Sequence, residues 1–276
     1  TGHDEVGPEI GASDVLRSAT FTSDSLGTIH AVIEIEEATR SPKHTLYYAY
    51  AKRKLVSYNP SPVYEWTWDT APVAIPNSSG ASGKYDLRQP SIACDSNDRV
   101  HLACRQVVTD GNSHIIYTTK LPSETNFIDL PPFTLDPKDW GDDRWSKVNK
   151  TTTVPYESAE NTASSTNHAV RDCDAPKVCL IGDNTPLVFF RGGIDAGSGT
   201  FGDRHNDAIY ANIGRNDTGA FDPSGRYRFD PAKAIHVVGI HNADQFPTTN
   251  VIYYDAVIDE NDRAFVTVIK DNDGRS

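Results

Sequence analysis

One phrase of the sequence occurs in four places, and this repeat limits the possible folds more than any other feature. Residues 90–106 read PSIACDSNDRVHLACRQ, which is an apolar run, a short polar turn and a second apolar run. Residues 254–268, YDAVIDENDRAFVTV, have the same order, and so do 19–33 and 176–190. The four turns begin at equivalent positions: Asp24, Asp95, Gly182 and Asp259. The chain is therefore expected to contain four equivalent structural units.

The spacing of these turns predicts the size of one unit. Consecutive turns are separated by 71 residues (24 to 95), 87 residues (95 to 182) and 77 residues (182 to 259). A solenoid unit is shorter, at about 20 to 45 residues. A four-stranded blade of a β-propeller needs about 40 to 50 residues, and long loops account for the remainder. The repeat therefore favours a propeller.

Within each complete unit the sequence predicts several short β-strands. In the second unit, QPSIAC and RVHLACR form a hairpin, HIIYTTKL is a third strand, and the segment around 127–133 is the candidate for the fourth. Gly, Asn, Asp and Pro separate runs of β-branched and aromatic residues. A tyrosine recurs in the third strand of three units, as Tyr48, Tyr117 and Tyr210. No helical periodicity of useful length is present, so the chain is predicted to be all-β.

We interpret residues 1–276 as a single β-propeller domain or a fragment of one. The four-stranded antiparallel blades are predicted at about 13–76, 77–156, 157–238 and 239–276, the last of which is incomplete. Six or seven blades of about 78 residues each would need roughly twice this length. We therefore expect the chain to be part of a larger propeller, with further blades as partners. A closed assembly of four blades is the alternative.

The net charge of the chain limits the classes of partner that it is expected to bind. The formal net charge is −12, whereas a non-specific nucleic-acid-binding protein needs a basic surface. No apolar run approaches the roughly 18 residues that a membrane-spanning helix needs. The first residues, TGHDEVGPEIGASD, lack the apolar centre of a signal peptide. We expect neither nucleic acid nor membrane insertion, and the acidic balance fits a secreted or extracellular protein.

The four cysteines do not form a metal-binding pattern, since no CxxC occurs. A turn centred near Asn97 places Cys94 opposite Arg99 or Val100, so a bridge from Cys94 to Cys104 is not expected. Two interpretations stay open: a bridge between repeats that joins Cys94 to Cys179, or free thiols buried in the core.

Propeller geometry divides the loops between two faces. The aspartate turns lie on one face, where they are predicted to bond their own backbone, with a structural Ca²⁺ site as the alternative; no cofactor is required. Binding and catalysis normally use the opposite face, where the other loops converge. His30 and His101 occupy equivalent places in second strands, where a packed core histidine and a catalytic one are both possible.

The front-face loops supply the candidate site residues. The loop 191–207 is long and rich in glycine, which lets backbone approach a ligand, and Arg191 emerges there from a buried strand end. Trp140 and Trp145 either stack on sugars or hold their own loop in place. The predicted catalytic residues are Arg191, His205, His168, His101, Arg88 and Tyr85, and the predicted substrate-binding residues are Arg105, Arg204, His241, Gln245, Trp140 and Trp145.

The phrase QPSIACDSNDRVHLA…IIYTT resembles the sialidase-related (BNR-type) repeats of secreted carbohydrate-active β-propellers, and the resemblance covers about 15–270. The SxDxGxTW box of true sialidases is absent. The segment LVFFRGGIDAGSG is similar to the one in ulvan-lyase-like polysaccharide lyases that presents an arginine beside a glycine-rich loop. Arg88 and Gln89 stand where that family has a histidine ahead of the PSI strand.

This resemblance implies cleavage of a uronate-containing polysaccharide by β-elimination. The reaction needs a cation at the uronate carboxylate, a base for the neighbouring C–H and an acid for the leaving oxygen. The resemblance assigns the first role to Arg191, helped by Arg88. His205, His168 or His101 would be the base, and Tyr85 the acid. The competing hypotheses are a non-catalytic glycan-binding or receptor-binding propeller and a scaffold fragment of a surface protein.

Overall fold

The structure is a computed structural model, and it describes residues 13–39, 43–58, 60–69, 72–76, 85–107, 113–130, 144–148, 169–182, 184–195, 208–215, 225–229, 234–239 and 249–272. These residues form sixteen β-strands and no helix. No helix capable of crossing a membrane therefore occurs within them. The prediction of an all-β chain is confirmed.

The first sheet, blade 1, contains strands β1 (Val15–Ser23), β2 (Ile29–Glu36), β3 (His44–Tyr58), β4 (Pro62–Trp68) and β5 (Val73–Ala74). The antiparallel order is β1-β2-β3-β4, and β5 also pairs with β3. The far half of β3 pairs with β4 and the near half, at Tyr47 and Tyr48, pairs with β5. Two strands therefore share the fourth place in this blade.

Blade 2 contains β6 (Asp86–Cys94), β7 (Val100–Val107), β8 (Ser113–Lys120) and β9 (Ser146–Lys147), in that antiparallel order. The fourth strand is therefore β9, and the described part of the candidate segment, 127–130, does not join this sheet. Residues 121–130 form no strand, and Phe127 instead packs into the core between blades 1 and 2. An isolated apolar segment can fill a core without joining a sheet, so the short apolar run around Phe127 does not by itself distinguish a strand from a core-filling loop.

Blade 3 contains β10 (Ala169–Ile181), β11 (Thr185–Asp195), β12 (Ala208–Arg215), β13 (Arg228–Phe229) and β14 (Ile235–Gly239), with β13 and β14 both paired to β12. Blade 4 is the hairpin of β15 (Thr249–Ile258) and β16 (Ala264–Asn272). All pairings within the four sheets are antiparallel.

The blades pack face to face in chain order. One apolar cluster joins blades 1 and 2, a second joins blades 2 and 3, and a third joins blades 3 and 4. The recurring third-strand tyrosines Tyr48, Tyr117 and Tyr210 are buried in these clusters. Sheets stacked in this way are propeller blades, so the predicted fold class is confirmed. The repeat boundaries and the number of blades in the intact protein stay predictions.

The aspartates of the repeated turns bond their own backbone, as predicted. Asp95 Oδ1 accepts hydrogen bonds from the N–H groups of Asn97 and Arg99, both at 2.9 Å. Asp259 Oδ1 accepts from Asn261 at 3.0 Å and Arg263 at 2.9 Å. Asp24 does the same with the second and fourth residues after it. A short carboxylate side chain thus closes each turn.

The turns also join each blade to the next. The Ser25 N–H and hydroxyl donate to the Asp98 carboxylate at 2.8 and 2.9 Å, across blades 1 and 2. Ser96 N–H donates to Asn184 Oδ1 at 3.1 Å across blades 2 and 3, and Gly182 N–H donates to Asp262 Oδ1 at 2.6 Å across blades 3 and 4. The three acceptors, Asp98, Asn184 and Asp262, all have left-handed φ. Asn and Asp tolerate that conformation better than most residues.

The four cysteines, Cys94, Cys104, Cys173 and Cys179, are free thiols. Cys94 pairs with Val100 across the first hairpin of blade 2, as the sequence predicted. Cys104 is fully buried, and burial raises the pKa of its thiol well above the usual range. Of the two interpretations left open, the structure shows free thiols rather than a bridge between repeats.

Candidate functional site

The first strands of all four blades meet around one groove. Each of them has a β-bulge, where the pairing with the second strand shifts. The shifts lie between Leu16 and Ser18, Arg88 and Ser91, Asp174 and Lys177, and Val251 and Tyr253. Bulges redirect side chains, and residues at these bulges line a cavity of about 280 Å³. We call this cavity the four-strand groove.

Arg191, the strongest candidate from the sequence, lines this groove. Its Nε and Nη2 donate to the two carboxylate oxygens of Asp174 at 2.7 and 2.6 Å. This hydrogen bonding raises the pKa of Arg191 above its usual range, although burial opposes it. β11 and β10 pair directly at these two residues, so the sheet register itself creates the contact. The guanidinium is charged, mostly buried and held in one orientation.

Three further residues give the groove its chemistry. Lys177 Nζ lies 3.2 Å from Asp255, and both side chains are partly exposed, so this ion pair is weak. Tyr253 lines the groove and is 54% exposed, which leaves an aromatic ring accessible to a ligand. Gln89 lies in the lining from blade 2, and its side-chain oxygen accepts from the Ala175 N–H of blade 3 at 2.9 Å. Cations and an aromatic ring are together suited to a polar ring with an acidic substituent.

Arg88, Arg105 and Tyr85 lie at the front end of blade 2, beside the groove but not in its lining. Arg88 and Arg105 are directly opposite each other on β6 and β7. Arg88 makes two hydrogen bonds to Asp86, at 3.1 and 2.6 Å, and these raise its pKa. Arg105 Nη2 donates to the Ser113 hydroxyl at 3.0 Å. Tyr85 packs against the core of blades 1 and 2.

His101 is placed where a substrate cannot reach it. Its side chain is 0% exposed, Nδ1 lies 2.6 Å from the Tyr117 hydroxyl, and Nε2 lies 3.3 Å from Asp95. Burial lowers the pKa of His101, an effect that Asp95 only partly offsets. His30 repeats this arrangement in blade 1, with Nδ1 2.6 Å from Tyr48. His30 and His101 are therefore packed core histidines, which was the first of the two interpretations of their equivalent places in the second strands.

Trp145 is fully buried in the core between blades 1 and 2, and its Nε1–H donates to the Ile128 carbonyl at 3.0 Å. It therefore holds its own segment in place, and no sugar can stack on it in this position. The remaining candidates fall outside the described residues: His168, His205, Arg204, His241, Gln245 and Trp140. Their roles stay predictions.

Within the described part of the chain, no three His, Cys, Asp or Glu side chains are grouped so that they could hold a metal ion. The carboxylates of the repeated turns point at their own backbone instead. The proposal of a structural calcium site stays untested for the remaining residues.

Sequence reasoning missed Lys177, Tyr253 and Tyr254 as groove residues. It looked for the site in the loops of the front face, whereas these residues lie within first strands. One signal was present, because a first strand is the innermost strand of a propeller blade. Polar or aromatic residues in the middle of APKVCLI and NVIYYDAVI could therefore have been assigned to the centre.

No protein-family model matches the sequence, and no curated protein is similar to it. Among solved structures, the chain is similar to Trypanosoma rangeli sialidase in complex with the inhibitor DANA, at 8% identity and a TM-score of 0.42, over 97% of this chain and 45% of that one. A T. rangeli sialidase mutant displaying trans-sialidase activity matches at 8% identity and 0.42, over 75% and 27%. A B. subtilis levansucrase mutant matches at 10% identity and 0.45, over 95% and 69%. The chain spans less than half the length of these sialidases.

Proposed function

We propose that this chain belongs to a carbohydrate-active propeller protein and that its four-strand groove binds an anionic, uronate-containing polysaccharide. The observation that supports this most is the meeting of Arg191, Lys177 and Tyr253 in one groove formed by four blades. A uronate ring offers a carboxylate for the cations and an apolar ring face for the tyrosine. The proposal extends to a secreted location, where such polymers occur.

The two cations have different parts in this proposal. Asp174 orients Arg191 firmly, so this guanidinium supplies a fixed direction for hydrogen bonding. Lys177 is held only by the exposed contact to Asp255. A carboxylate of the polysaccharide can replace Asp255 at little cost, because water already screens that ion pair.

Affinity electrophoresis in gels that contain polygalacturonate, ulvan or neutral dextran tests the binding. We expect the two uronate polymers to retard the chain and dextran to have little effect. Lys177→Ala is expected to weaken the retardation several-fold. Lys54→Ala is the matched control, since it removes the same charge from an exposed strand outside the groove. Equal retardation in all gels, or equal losses in both variants, would contradict the proposal.

Cleavage of the bound polymer by β-elimination is the second candidate function. The fixed Arg191 favours it, because the reaction needs a preorganised cation at the uronate carboxylate. The histidines whose burial the structure describes, His30, His44, His101 and His114, are all buried. The base is therefore assigned to His168 or His205, and the acid to Tyr85. No metal or cofactor takes part in this scheme.

Ultraviolet absorbance of the unsaturated uronate product tests this candidate on the same polymers. We expect the absorbance to rise with one substrate class and Arg191→Ala to abolish the rise. That variant removes the guanidinium that the buried Asp174 carboxylate holds, so Arg191→Lys, which keeps the charge but loses the two-pronged geometry, is measured beside it. Retardation in the gel with a flat absorbance trace would favour a non-catalytic glycan-binding propeller.

A further inference from the structure

A belt of hydrogen bonds crosses all four blades at the level of the bulges. The Gln89 N–H of blade 2 donates to Glu34 Oε2 of blade 1 at 2.8 Å. The Gln89 side-chain oxygen accepts from the Ala175 N–H of blade 3 at 2.9 Å. The Ala175 carbonyl then accepts from the Tyr254 hydroxyl of blade 4 at 2.5 Å. Gln89 is thus bonded on one side by its backbone and on the other by its side chain.

The two central residues of this belt have an unusual backbone. Gln89 has φ of +50° and Ala175 has φ of +47°. A residue with a Cβ atom rarely adopts this left-handed region, and it remains there only where the surroundings hold it. The hydrogen bonds of the belt are formed by these same two residues. The belt therefore maintains a backbone conformation that the local sequence does not favour.

Glu34 anchors the near end of the belt. Its carboxylate is almost completely buried, and besides the Gln89 N–H it accepts the Ser18 hydroxyl at 2.8 Å. Its other oxygen lies 2.8 Å from His44 Nδ1. A carboxylate with three hydrogen-bonding neighbours is fixed in position. Gln89 is therefore attached to a rigid support in blade 1 as it reaches toward blade 3.

The far end of the belt leads to the guanidinium of the groove. Ala175 directly follows Asp174, the residue that holds Arg191 through two hydrogen bonds. A shift of the backbone at Ala175 must therefore move the Asp174 carboxylate, and Arg191 with it.

We propose that Gln89 of blade 2 is a positioning residue for Arg191 of blade 3. Its side-chain oxygen fixes β10 at Ala175, and the neighbouring Asp174 transmits that position to the guanidinium. The consequence for polysaccharide binding rests on the proposed function, whereas the positioning itself does not.

Two substitutions at Gln89 test whether its side-chain oxygen positions Ala175. Gln89→Asn keeps an amide and suits a left-handed φ better than glutamine does, but it is one methylene too short to reach Ala175. Gln89→Glu keeps both the length and an oxygen that can accept from the Ala175 N–H. Ser96→Ala is the matched control, because it breaks a hydrogen bond between the same two blades, to Asn184.

The first readout is hydrogen exchange in the unliganded protein, followed by NMR at the Ala175 amide and at the Arg191 Nε–H. We expect Gln89→Asn to speed exchange at both by about tenfold, the change expected for loss of one hydrogen bond. Gln89→Glu and Ser96→Ala should leave both rates unchanged. Unchanged exchange at Arg191 in Gln89→Asn, or equal acceleration in Ser96→Ala, would overturn the proposal.

The second readout is retardation by polygalacturonate. If Gln89 acts through Arg191, Gln89→Asn and Arg191→Lys weaken binding to a similar extent, and the double variant is no weaker than Arg191→Lys alone. Losses that add would instead mean that Gln89 contacts the polymer directly, and would overturn the positioning role. If the unsubstituted protein is not retarded, the proposed function fails, and the exchange rates still decide the positioning.

Discussion

The turns at Asp95 and Asp259 have nearly the same sequence and the same hydrogen bonds, but they lie in different surroundings. In both, the carboxylate closes the turn and also accepts from the arginine four residues later, at 2.6 Å to Arg99 Nε and 2.7 Å to Arg263 Nε. The Arg99 side chain is 3% exposed, whereas that of Arg263 is 67% exposed. The local sequence thus determines the turn, and the neighbouring blade determines how much the turn contributes to stability.

Blade 3 accounts for this difference. Its Tyr227 accepts a hydrogen bond from Arg99 Nη2 at 3.1 Å and packs against His101. Phe265 of blade 4, which is equivalent to His101, is exposed, together with Val257 and Ile269 on the same sheet face. The faces between blades are apolar in the same way, so this face of blade 4 has the character of a blade interface.

The largest expected effect is the loss of the buried carboxylate. Asp95→Ala removes the carboxylate that neutralises the buried Arg99 guanidinium, which is expected to lower the free energy of unfolding by about 3–5 kcal/mol. Asp259→Ala is expected to have a much smaller effect, because water can solvate Arg263. Urea unfolding of both variants checks this. Equal losses would contradict the role assigned to the neighbouring blade.

His101→Phe places in blade 2 the residue that blade 4 has at the equivalent position. It removes the hydrogen-bonding partner of the buried Tyr117 hydroxyl, so we expect a loss of about 1–3 kcal/mol in the free energy of unfolding. The reciprocal change, Phe265→His, affects an exposed side chain and should leave the urea midpoint almost unchanged. An unchanged free energy of unfolding in His101→Phe would mean that the buried histidine does not stabilise blade 2.

The pH dependence of the free energy of unfolding should also differ between changes at His101 in blade 2 and at Phe265 in blade 4. Burial lowers the pKa of His101 in the folded protein, so below about pH 6.5 the unfolded chain binds a proton that the folded chain does not. Its contribution to stability is therefore complete above that pH and declines as the pH falls. Chemical unfolding between pH 8 and pH 5 should show a flatter profile for His101→Gln than for the unsubstituted protein. Phe265→Gln should not change the profile.

The smallest expected effect is the loss of the hydrogen bonds between turns. Asp98→Gly removes the acceptor for Ser25, while glycine adopts the left-handed φ without strain, so we expect a loss of only about 0.5–1.5 kcal/mol in the free energy of unfolding. Asp262→Gly removes the acceptor for Gly182 and should cost about the same, because neither acceptor is buried. The two variants should therefore have equal urea midpoints. Unequal midpoints would mean that the turns of blades 2 and 4 differ in some property other than the burial of their side chains.

The features that local sequence controls could be predicted. The aspartate turns and the register at Cys94 follow from turn chemistry and strand alternation, which act over a few residues. The fourth strand of blade 2 could not be predicted, because Ser146 and Lys147 join the sheet far along the chain from β8. Short strands depend on such distant pairing more than on their own sequence.

In the candidate site, too, local features could be predicted and contacts between distant residues could not. Arg191 was found because a charged residue at a buried strand end is conspicuous. Its contact with Asp174 could not be predicted, because that contact depends on the register of β10, which is shifted on both sides of Asp174. The contact of Gln89 with Ala175 could not be predicted either, because it crosses from blade 2 to blade 3. The burial of His101 and Trp145 likewise results from neighbours that no single strand encodes.

Amide hydrogen exchange with and without a uronate oligosaccharide is the most direct test of binding in the four-strand groove, since it shows which strands the ligand protects. We expect slower exchange on first strands of several blades, near 18–20, 89–91, 175–177 and 253–254. The same oligosaccharide should protect Lys177→Ala much less. Protection confined to another surface, or none at a concentration that retards the protein in the gel, would contradict a binding site in the four-strand groove.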